Sequence, residues 1–501
     1  MHYKSTRDSG LSYTASQVIA QGISEEGGLF VPAAFPDVKP RLSQWAELSY
    51  CELAEKILAL FLTDFTQEEI HDCVQGAYGS GKFEGDQPVT LKNLAAQKSV
   101  LELWHGPTSA FKDMALQLLP RLLSVAMKKT GDKKTAFILV ATSGDTGKAA
   151  LEGFRDVPGT KVVSFYPAQG VSPMQQRQMV TQEGENLCVC SVTGNFDDSQ
   201  TGVKKIFTDP KMEALAAKND LFFSSANSIN FGRLLPQIIY YFYGYFRLYR
   251  DGRISALGEA VNVAVPTGNF GNILAGYYAA RMGLPLKRFI CASNANNVLT
   301  QFIRTGCYDR RRAFYTTMSP SMDILISSNL ERLLYHLSGE DSGQVADWMA
   351  QLAEKGVYQV TKEVQAALAE RFYGEDCTDP QTASAIETIY REEGYLSDPH
   401  TAVAFHAQAR YQAQTGDEAP VMLLSTASPY KFSDHVLEAL GQPVDPDPFR
   451  QLADLEAFTG VPAQLRLKSL KDKKIRFRRE ILPGEMSGFV SDFLEDWQVD
   501  S

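Results

Sequence analysis

The chain has 501 residues, 44% hydrophobic and 22% charged, with a formal net charge of −10; it has material for more than one core, and its acidity excludes general affinity for nucleic acid or anionic lipid. No apolar run reaches the roughly 18 residues that a spanning helix needs, and the N-terminus lacks the apolar stretch of a signal peptide and carries acidic residues early, so no membrane span and no targeting segment is expected. Seven cysteines are scattered without a C-x-x-C or Cys/His cluster, which points to a reducing cytoplasm and to no metal site.

Residues 1–85 read as an N-terminal unit with helical stretches such as residues 50–61, closed by the glycine-rich break at 76–82. From 86 to 435 strands and helices alternate. A short strand at 101–104 leads through the Gly106-Pro107 turn to helical spacing at 114–119. Strand 135–140 precedes helix 149–155, strand 161–166 precedes helix 172–182, and strand 187–192 puts Cys188 and Cys190 on one face. Strand 261–265 then precedes helix 272–281, and strand 287–292 follows. This alternation predicts an α/β fold with largely parallel sheets, in which ligands sit beyond the carboxyl ends of the strands. Residues 436–501 read as a C-terminal extension, whose basic run at 468–479 is expected to be a solvated strand or hairpin.

Three features of the alternating region carry chemistry. In His105-Gly-Pro-Thr-Ser-Ala-Phe-Lys112-Asp113 a lysine sits at the mouth of a helix beside Phe111. Partial burial there disfavours the ammonium, as a Schiff-base lysine requires. The turn Thr142-Ser143-Gly144-Asp145-Thr146-Gly147 lies between a buried strand and a helix. Its N–H groups, with the hydroxyls of Thr142, Ser143 and Thr146, suit a carboxylate. The competing reading is an ordinary turn capped by Asp145 or Thr146. A nucleotide phosphate loop is excluded, because Ala149 stands where the hydroxyl residue after the lysine belongs. The turn Thr267-Gly268-Asn269-Phe270-Gly271-Asn272 repeats the strand–turn–helix pattern and reads as a phosphate cradle, without a dinucleotide fingerprint. A reactive lysine, a phosphate cradle and a carboxylate turn together describe a site for pyridoxal 5′-phosphate (PLP) and an amino acid.

These three stretches resemble those of the fold-type II PLP enzymes and, within them, the threonine synthases in their longer form. So do the opening Tyr3-Lys-Ser-Thr-Arg7 with Gly27-Gly-Leu-Phe-Val-Pro32, the segment Ser225-Ala-Asn-Ser-Ile-Asn-Phe-Gly-Arg-Leu-Leu-Pro236, and Leu424-Ser-Thr-Ala-Ser-Pro-Tyr-Lys-Phe432. The matches run in chain order from residue 3 to about 432. The resemblance implies two α/β lobes, similar to the tryptophan synthase β chain, with the cofactor between them, plus an added N-terminal domain and a C-terminal extension. It implies conversion of O-phospho-L-homoserine and water to L-threonine and phosphate, by a monomer.

It further implies that Lys112 carries PLP and moves protons, and that Gly268, Asn269, Phe270, Gly271 and Asn272 hold the cofactor phosphate. Thr142, Ser143 and Thr146 would take the substrate carboxylate. Asp145 would lie nearest the cofactor 3′-oxygen, where many relatives have asparagine. Thr426 would face the pyridine nitrogen, and Asn227, Ser228 and Arg233 the substrate phosphate. Plainer readings stand beside these. Thr426 can be a strand-end hydroxyl, and Arg233 a surface ion-pair partner on a helix capped by Asn227 or Ser228. Asp113 can be a cap and His105 a scaffold residue. Two rival functions use the same motifs: a phospho-lyase releasing 2-oxobutyrate, ammonia and phosphate, and a non-catalytic PLP-binding module.

Overall fold

The computed structural model describes residues 1–168 and 170–497, apart from the side chain of Asp197; the last four residues of the expected extension, 498–501, lie outside the described residues. Two sheets organise the molecule. The larger has six strands in the order Phe372–Asp376, Leu286–Ser293, Val261–Pro266, Val421–Ser425, Lys98–Glu102 and Thr90–Asn93. All neighbours are parallel except the final pair, where Thr90–Asn93 runs antiparallel to Lys98–Glu102. The smaller sheet has five parallel strands in the order Glu480–Ile481, Leu187–Val192, Thr160–Pro167, Thr135–Ala141 and Leu221–Ser224. This is the α/β fold with largely parallel sheets that the strand–helix alternation predicts, in the two lobes that the family resemblance implies.

The central strands are buried on both faces, as parallel sheets flanked by helices must be. Val261–Pro266 and Leu187–Val192 have no exposed residue. The 20-residue helix Phe231–Arg250 is buried over most of its length and packs against helices Gly271–Arg281 and Tyr50–Phe61. It therefore anchors the N-terminal unit to the larger lobe. Cys188 and Cys190 both point into the smaller lobe's core. No helix among the described residues is long and apolar enough to cross a membrane.

Three local expectations are corrected. The strand expected at 101–104 spans Lys98–Glu102, because its ladder with Val421–Ser425 ends at Glu102. The helix expected at 114–119 is a single turn, Asp113–Leu116, followed by a second helix, Leu119–Thr130. Pro120 sits in the first turn of the second helix, where a missing N–H costs nothing, and it disfavours continuous helix through the residues before it. The basic run is neither hairpin nor solvated strand. Helical turns at Leu465–Lys468 and Ser469–Asp472 lead into an extended strap. Arg177 donates to the carbonyls of Leu470, Lys471 and Lys473, and Arg476 donates to those of Gln182 and Gly184. The strap then pairs Glu480–Ile481 with Leu187–Val192 and so completes the smaller sheet.

Candidate active site

Lys112 stands on the turn that follows strand Lys98–Glu102. Asp113 clasps that turn: its carboxylate accepts the Thr108 N–H at 2.8 Å and the Thr108 hydroxyl at 2.7 Å. Burial pushes the Asp113 carboxyl up to about 6, against those two hydrogen bonds. Gly106 is required at the clasp, since a Cβ there would lie 2.5 Å from Asp113 Oδ2. His105 pairs through Nε2 with Glu102 at 2.9 Å and stacks on Trp104 with ring centroids 4.3 Å apart. Both residues thus hold the turn. The Phe111 N–H donates to the Thr426 carbonyl at 2.8 Å, which brings the ends of two neighbouring strands together beside Lys112.

The Lys112 amine is buried and donates to Ser321 Oγ at 3.1 Å, with Asp145 Oδ2 4.0 Å away. Burial lowers its pKa to about 8. The Asp145 charge opposes that shift, and the charges of Arg233 and Lys431 add to it. Asp145 begins helix Asp145–Phe154. Its Oδ1 accepts from Lys431 Nζ and, at 2.8 Å, from Gln175 Nε2. Burial works against ionisation of Asp145, but the ammonium groups of Lys431 and Lys112 outweigh it and hold the carboxyl well below the usual range. The helix N-cap is Gly144, with φ of 132° and no side-chain cap, so neither Asp145 nor Thr146 caps this turn. Thr142 Oγ1 accepts from the N–H groups of Gly144 (2.9 Å) and Gly147 (2.8 Å) and so shapes the turn from within. Ser143 and Thr146 remain half-buried at its surface.

The turn at 267–272 is tied down by the Thr267 N–H, which donates to the Ala292 carbonyl at 2.9 Å, and by the carbonyls of Gly268 and Asn269. Ser327 Oγ donates to the Gly268 carbonyl at 2.8 Å, and Asn329 donates to the Asn269 carbonyl through its backbone (3.1 Å) and side chain (3.0 Å). Phe270, with φ of 63°, is the N-cap of helix Gly271–Arg281, whose first N–H groups have no intrahelical acceptor. Asn272 Oδ1 accepts from the hydroxyls of Tyr240 and Tyr241, both at 2.8 Å, and its buried Nδ2 has no acceptor among the described residues. An orphan amide donor beside the start of a helix is what a phosphate would satisfy.

The segment before helix Phe231–Arg250 is capped by Asn230, whose Oδ1 accepts the Gly232 N–H at 2.8 Å; Asn227 and Ser228 are not the cap. Ser228 Oγ accepts from Asn329 Nδ2 at 2.8 Å, so one asparagine touches both this segment and the 267–272 turn. Arg233 is buried, not on the surface, and donates to the Ala226 carbonyl. Among the described residues no carboxylate lies within ion-pair distance of it, and burial lowers its pKa to about 10. Thr426 is buried directly after strand Val421–Ser425, its N–H donating to Thr401 Oγ1 at 3.3 Å.

Sequence reasoning missed Lys431, Ser321, Gln175, Asn329 and the pair Asp398–His400. Lys431 lies within the motif that also contains Thr426, so a signal for it existed. Ser321 and His400 lie in no glycine-rich turn or recognised motif. The residues that converge here fit PLP: a buried amine of lowered pKa, an unsatisfied donor at a helix start, and the buried cations Lys112, Lys431 and Arg233 near the Asp145 carboxylate.

Comparison with known proteins agrees with this geometry. The family model "Threonine synthase N terminus" matches residues 2–78, "Pyridoxal-phosphate dependent enzyme" matches 83–427, and "Threonine synthase, C-terminal" matches 401–472. Threonine synthase-like 1 of Homo sapiens is 40% identical over 438 residues, which is 85% of this chain but only 58% of that protein's length. Threonine synthase of Saccharomyces cerevisiae is 38% identical over 467 residues, covering 87% of this chain and 89% of the yeast protein. The crystal structure of PLP-bound threonine synthase from Brucella melitensis superposes with a TM-score of 0.86 at 35% identity, covering 99% of this chain and 98% of that one. With its fold, its buried lysine and three family models in register along it, the chain belongs to the threonine synthase family of pyridoxal-phosphate-dependent enzymes.

Proposed function

We propose that this protein converts O-phospho-L-homoserine and water to L-threonine and inorganic phosphate. The observation that carries the reading is Arg233: a buried guanidinium with no carboxylate partner among the described residues, near enough to Lys112 for its charge to depress the lysine. A buried unpaired cation is costly, and a phosphate dianion would satisfy it.

Bound PLP would supply an electron sink that acidifies the hydrogen on the amino-bearing carbon, Cα, and then those on Cβ. Lys112 would carry the cofactor and, once released by the incoming amino group, act through Nζ. With a pKa near 8 its amine is available unprotonated close to neutral pH. In this reading Nζ takes the Cα proton, passes it on, and then takes a Cβ proton as phosphate leaves Cγ. It gives a proton to Cγ, takes one from the water that then adds at Cβ, and returns a proton to Cα last; the remaining proton leaves with the phosphate. Arg233, with Asn227 and Ser228, would hold the departing phosphate. Asn272 Nδ2 and the N–H groups of Gly268, Asn269, Phe270 and Gly271 would hold the cofactor phosphate. Ser143, Thr146 and the start of helix Asp145–Phe154 would receive the substrate carboxylate, with Thr142 bracing the turn. Asp145 would face the 3′-oxygen. Thr426 would meet the ring nitrogen with a hydroxyl, which does not hold a proton there as a carboxylate would.

We divide the chain functionally into residues 1–85, 86–435 and 436–501. We read it as a cytoplasmic monomer acting on a small molecule, a setting that suits cysteines that form no disulfide among the described residues. Product analysis tests the reading. Purified protein given phosphohomoserine should release threonine and phosphate in equal amounts; 2-oxobutyrate and ammonia in place of threonine would assign it to phospho-lyase chemistry.

A further inference from the structure

Three residues outside the sequence motifs, the buried pair Asp398 and His400 and the half-buried Ser321, are linked in series by hydrogen bonds, through the Ser321 backbone, to the Lys112 amine. Lys112 Nζ donates to Ser321 Oγ at 3.1 Å. The Ser321 N–H donates to His400 Nε2 at 3.1 Å. His400 Nδ1 meets Asp398 Oδ2 at 2.8 Å. His400 is 2% exposed and Asp398 0% exposed, so water does not compete for either. The partners settle which ring nitrogen carries the proton. An ionised carboxylate only accepts and a backbone N–H only donates, so the proton sits on Nδ1 and the lone pair on Nε2 faces Ser321. The His400 ring also packs edge-on against Phe432, centroids 5.0 Å apart, which leaves it one orientation.

Asp398 has a second duty. It is the N-cap of helix Pro399–Thr415, and its Oδ1 accepts from the Thr401 N–H and hydroxyl. Thr401 Oγ1 in turn accepts the Thr426 N–H. One carboxylate therefore braces the segment under Lys112 and the backbone of Thr426. Asp323 stiffens the segment further by accepting from Thr317, Asn294 and Asn296 at 2.7–3.0 Å. The Ser321 carbonyl would lie 2.7 Å from a Cβ on Gly268, so the same segment packs against the proposed phosphate turn.

We infer that Ser321 is a further catalytic residue, which holds the Lys112 amine on line when it is free, and that Asp398 and His400 are positioning residues acting through the Ser321 backbone. The inference rests on Lys112 being the cofactor-bearing amine. No covalent step is assigned to Ser321; its oxygen fixes where the amine points, and a reacting group misaimed by about an ångström costs on the order of 100-fold in rate.

Four variants of the holoenzyme test it. Ser321→Ala removes the acceptor for the amine. His400→Phe keeps a ring against Phe432 but removes both ring hydrogen bonds. His400→Gln keeps an acceptor for the Ser321 N–H. Asp398→Asn keeps a competent helix cap but turns a donor toward Nδ1, so that the ring proton is driven to Nε2, against the Ser321 N–H. For Ser321→Ala, His400→Phe and Asp398→Asn, kcat should fall on the order of 10- to 100-fold with KM for phosphohomoserine within about twofold. His400→Gln should recover part of the His400→Phe loss. The pH titration of the visible absorbance of Lys112-bound cofactor should shift in Ser321→Ala, while cofactor affinity and Tm stay near wild type. Unchanged kcat in Ser321→Ala and Asp398→Asn would overturn the inference. So would parallel loss of Tm, cofactor and activity in all four, since that pattern marks a merely structural line. Should borohydride reduction of the wild-type holoenzyme leave no adduct on Lys112, the underlying reading fails instead, and the two failures are told apart.

Discussion

The two regions proposed to hold phosphate are built from different materials. The turn at 268–272 offers backbone amides, a helix start and the Asn272 amide, with no charged side chain in the turn. The other region centres on Arg233, a buried guanidinium without a counter-ion among the described residues. Neutral dipoles lose little by waiting and suit a cofactor that stays. A full buried charge is unstable alone and gains most from a dianion that comes and goes. On this reading, retention is assigned to the first region and turnover to the second, with Lys112 between them.

Variants can pull these two properties apart. The largest effect is expected at the shared centre: Lys112→Ala should abolish turnover and leave at most loosely held PLP, seen as loss of the borohydride adduct. Turnover near the wild-type level would remove the lysine from the mechanism. Next, Arg233→Ala should cost about 2–5 kcal/mol of transition-state stabilisation. Inhibition by inorganic phosphate should weaken in parallel while cofactor affinity holds; an unchanged kcat/KM would move the substrate phosphate elsewhere. In the neutral turn, Gly268→Ala pushes a Cβ to 2.7 Å from the Ser321 carbonyl oxygen. Overpacking of that kind costs about 1–3 kcal/mol, and it should appear chiefly as weaker cofactor retention by equilibrium dialysis. Equal losses of cofactor and of phosphate inhibition would erase the division between the regions.

The smallest effect concerns pH. Lys112 must be unprotonated to take a proton, so kcat should rise with pH to a plateau above about 8. Asp145 favours the ammonium form of Lys112. Asp145→Asn should therefore lower the lysine pKa further and move that limb to lower pH. A limb that stays in place or moves upward would show that Asp145 does not act on Lys112.

Much of the fold could be read from the chain because its evidence is local. Buried strands such as Leu187–Val192 are unbroken apolar or small-residue runs bounded by turn residues, and each glycine-rich turn sits between a strand and a helix. The motif around Lys112 announces a desolvated lysine through its neighbours Phe111 and Ala110. What was misread depended on partners far along the chain. The basic run looks solvated until Arg177, almost 300 residues earlier, takes its carbonyls. Of the two readings of Arg233, the surface ion pair falls only when the helix carrying it is seen to be buried over most of its length.

The amino-acid order by itself determined the α/β alternation, the positions of the two glycine turns and the placing of Lys112 at the mouth of a helix, because strand, turn and helix preferences act over a few residues. Only the tertiary structure decided the charge balance at that lysine. Lys431, Ser321, Arg233 and Asp145 reach it from four separate segments, and burial makes their charges and hydrogen bonds count. Electrostatic effects depend on distance and solvent exclusion, and neither is set until the chain has folded.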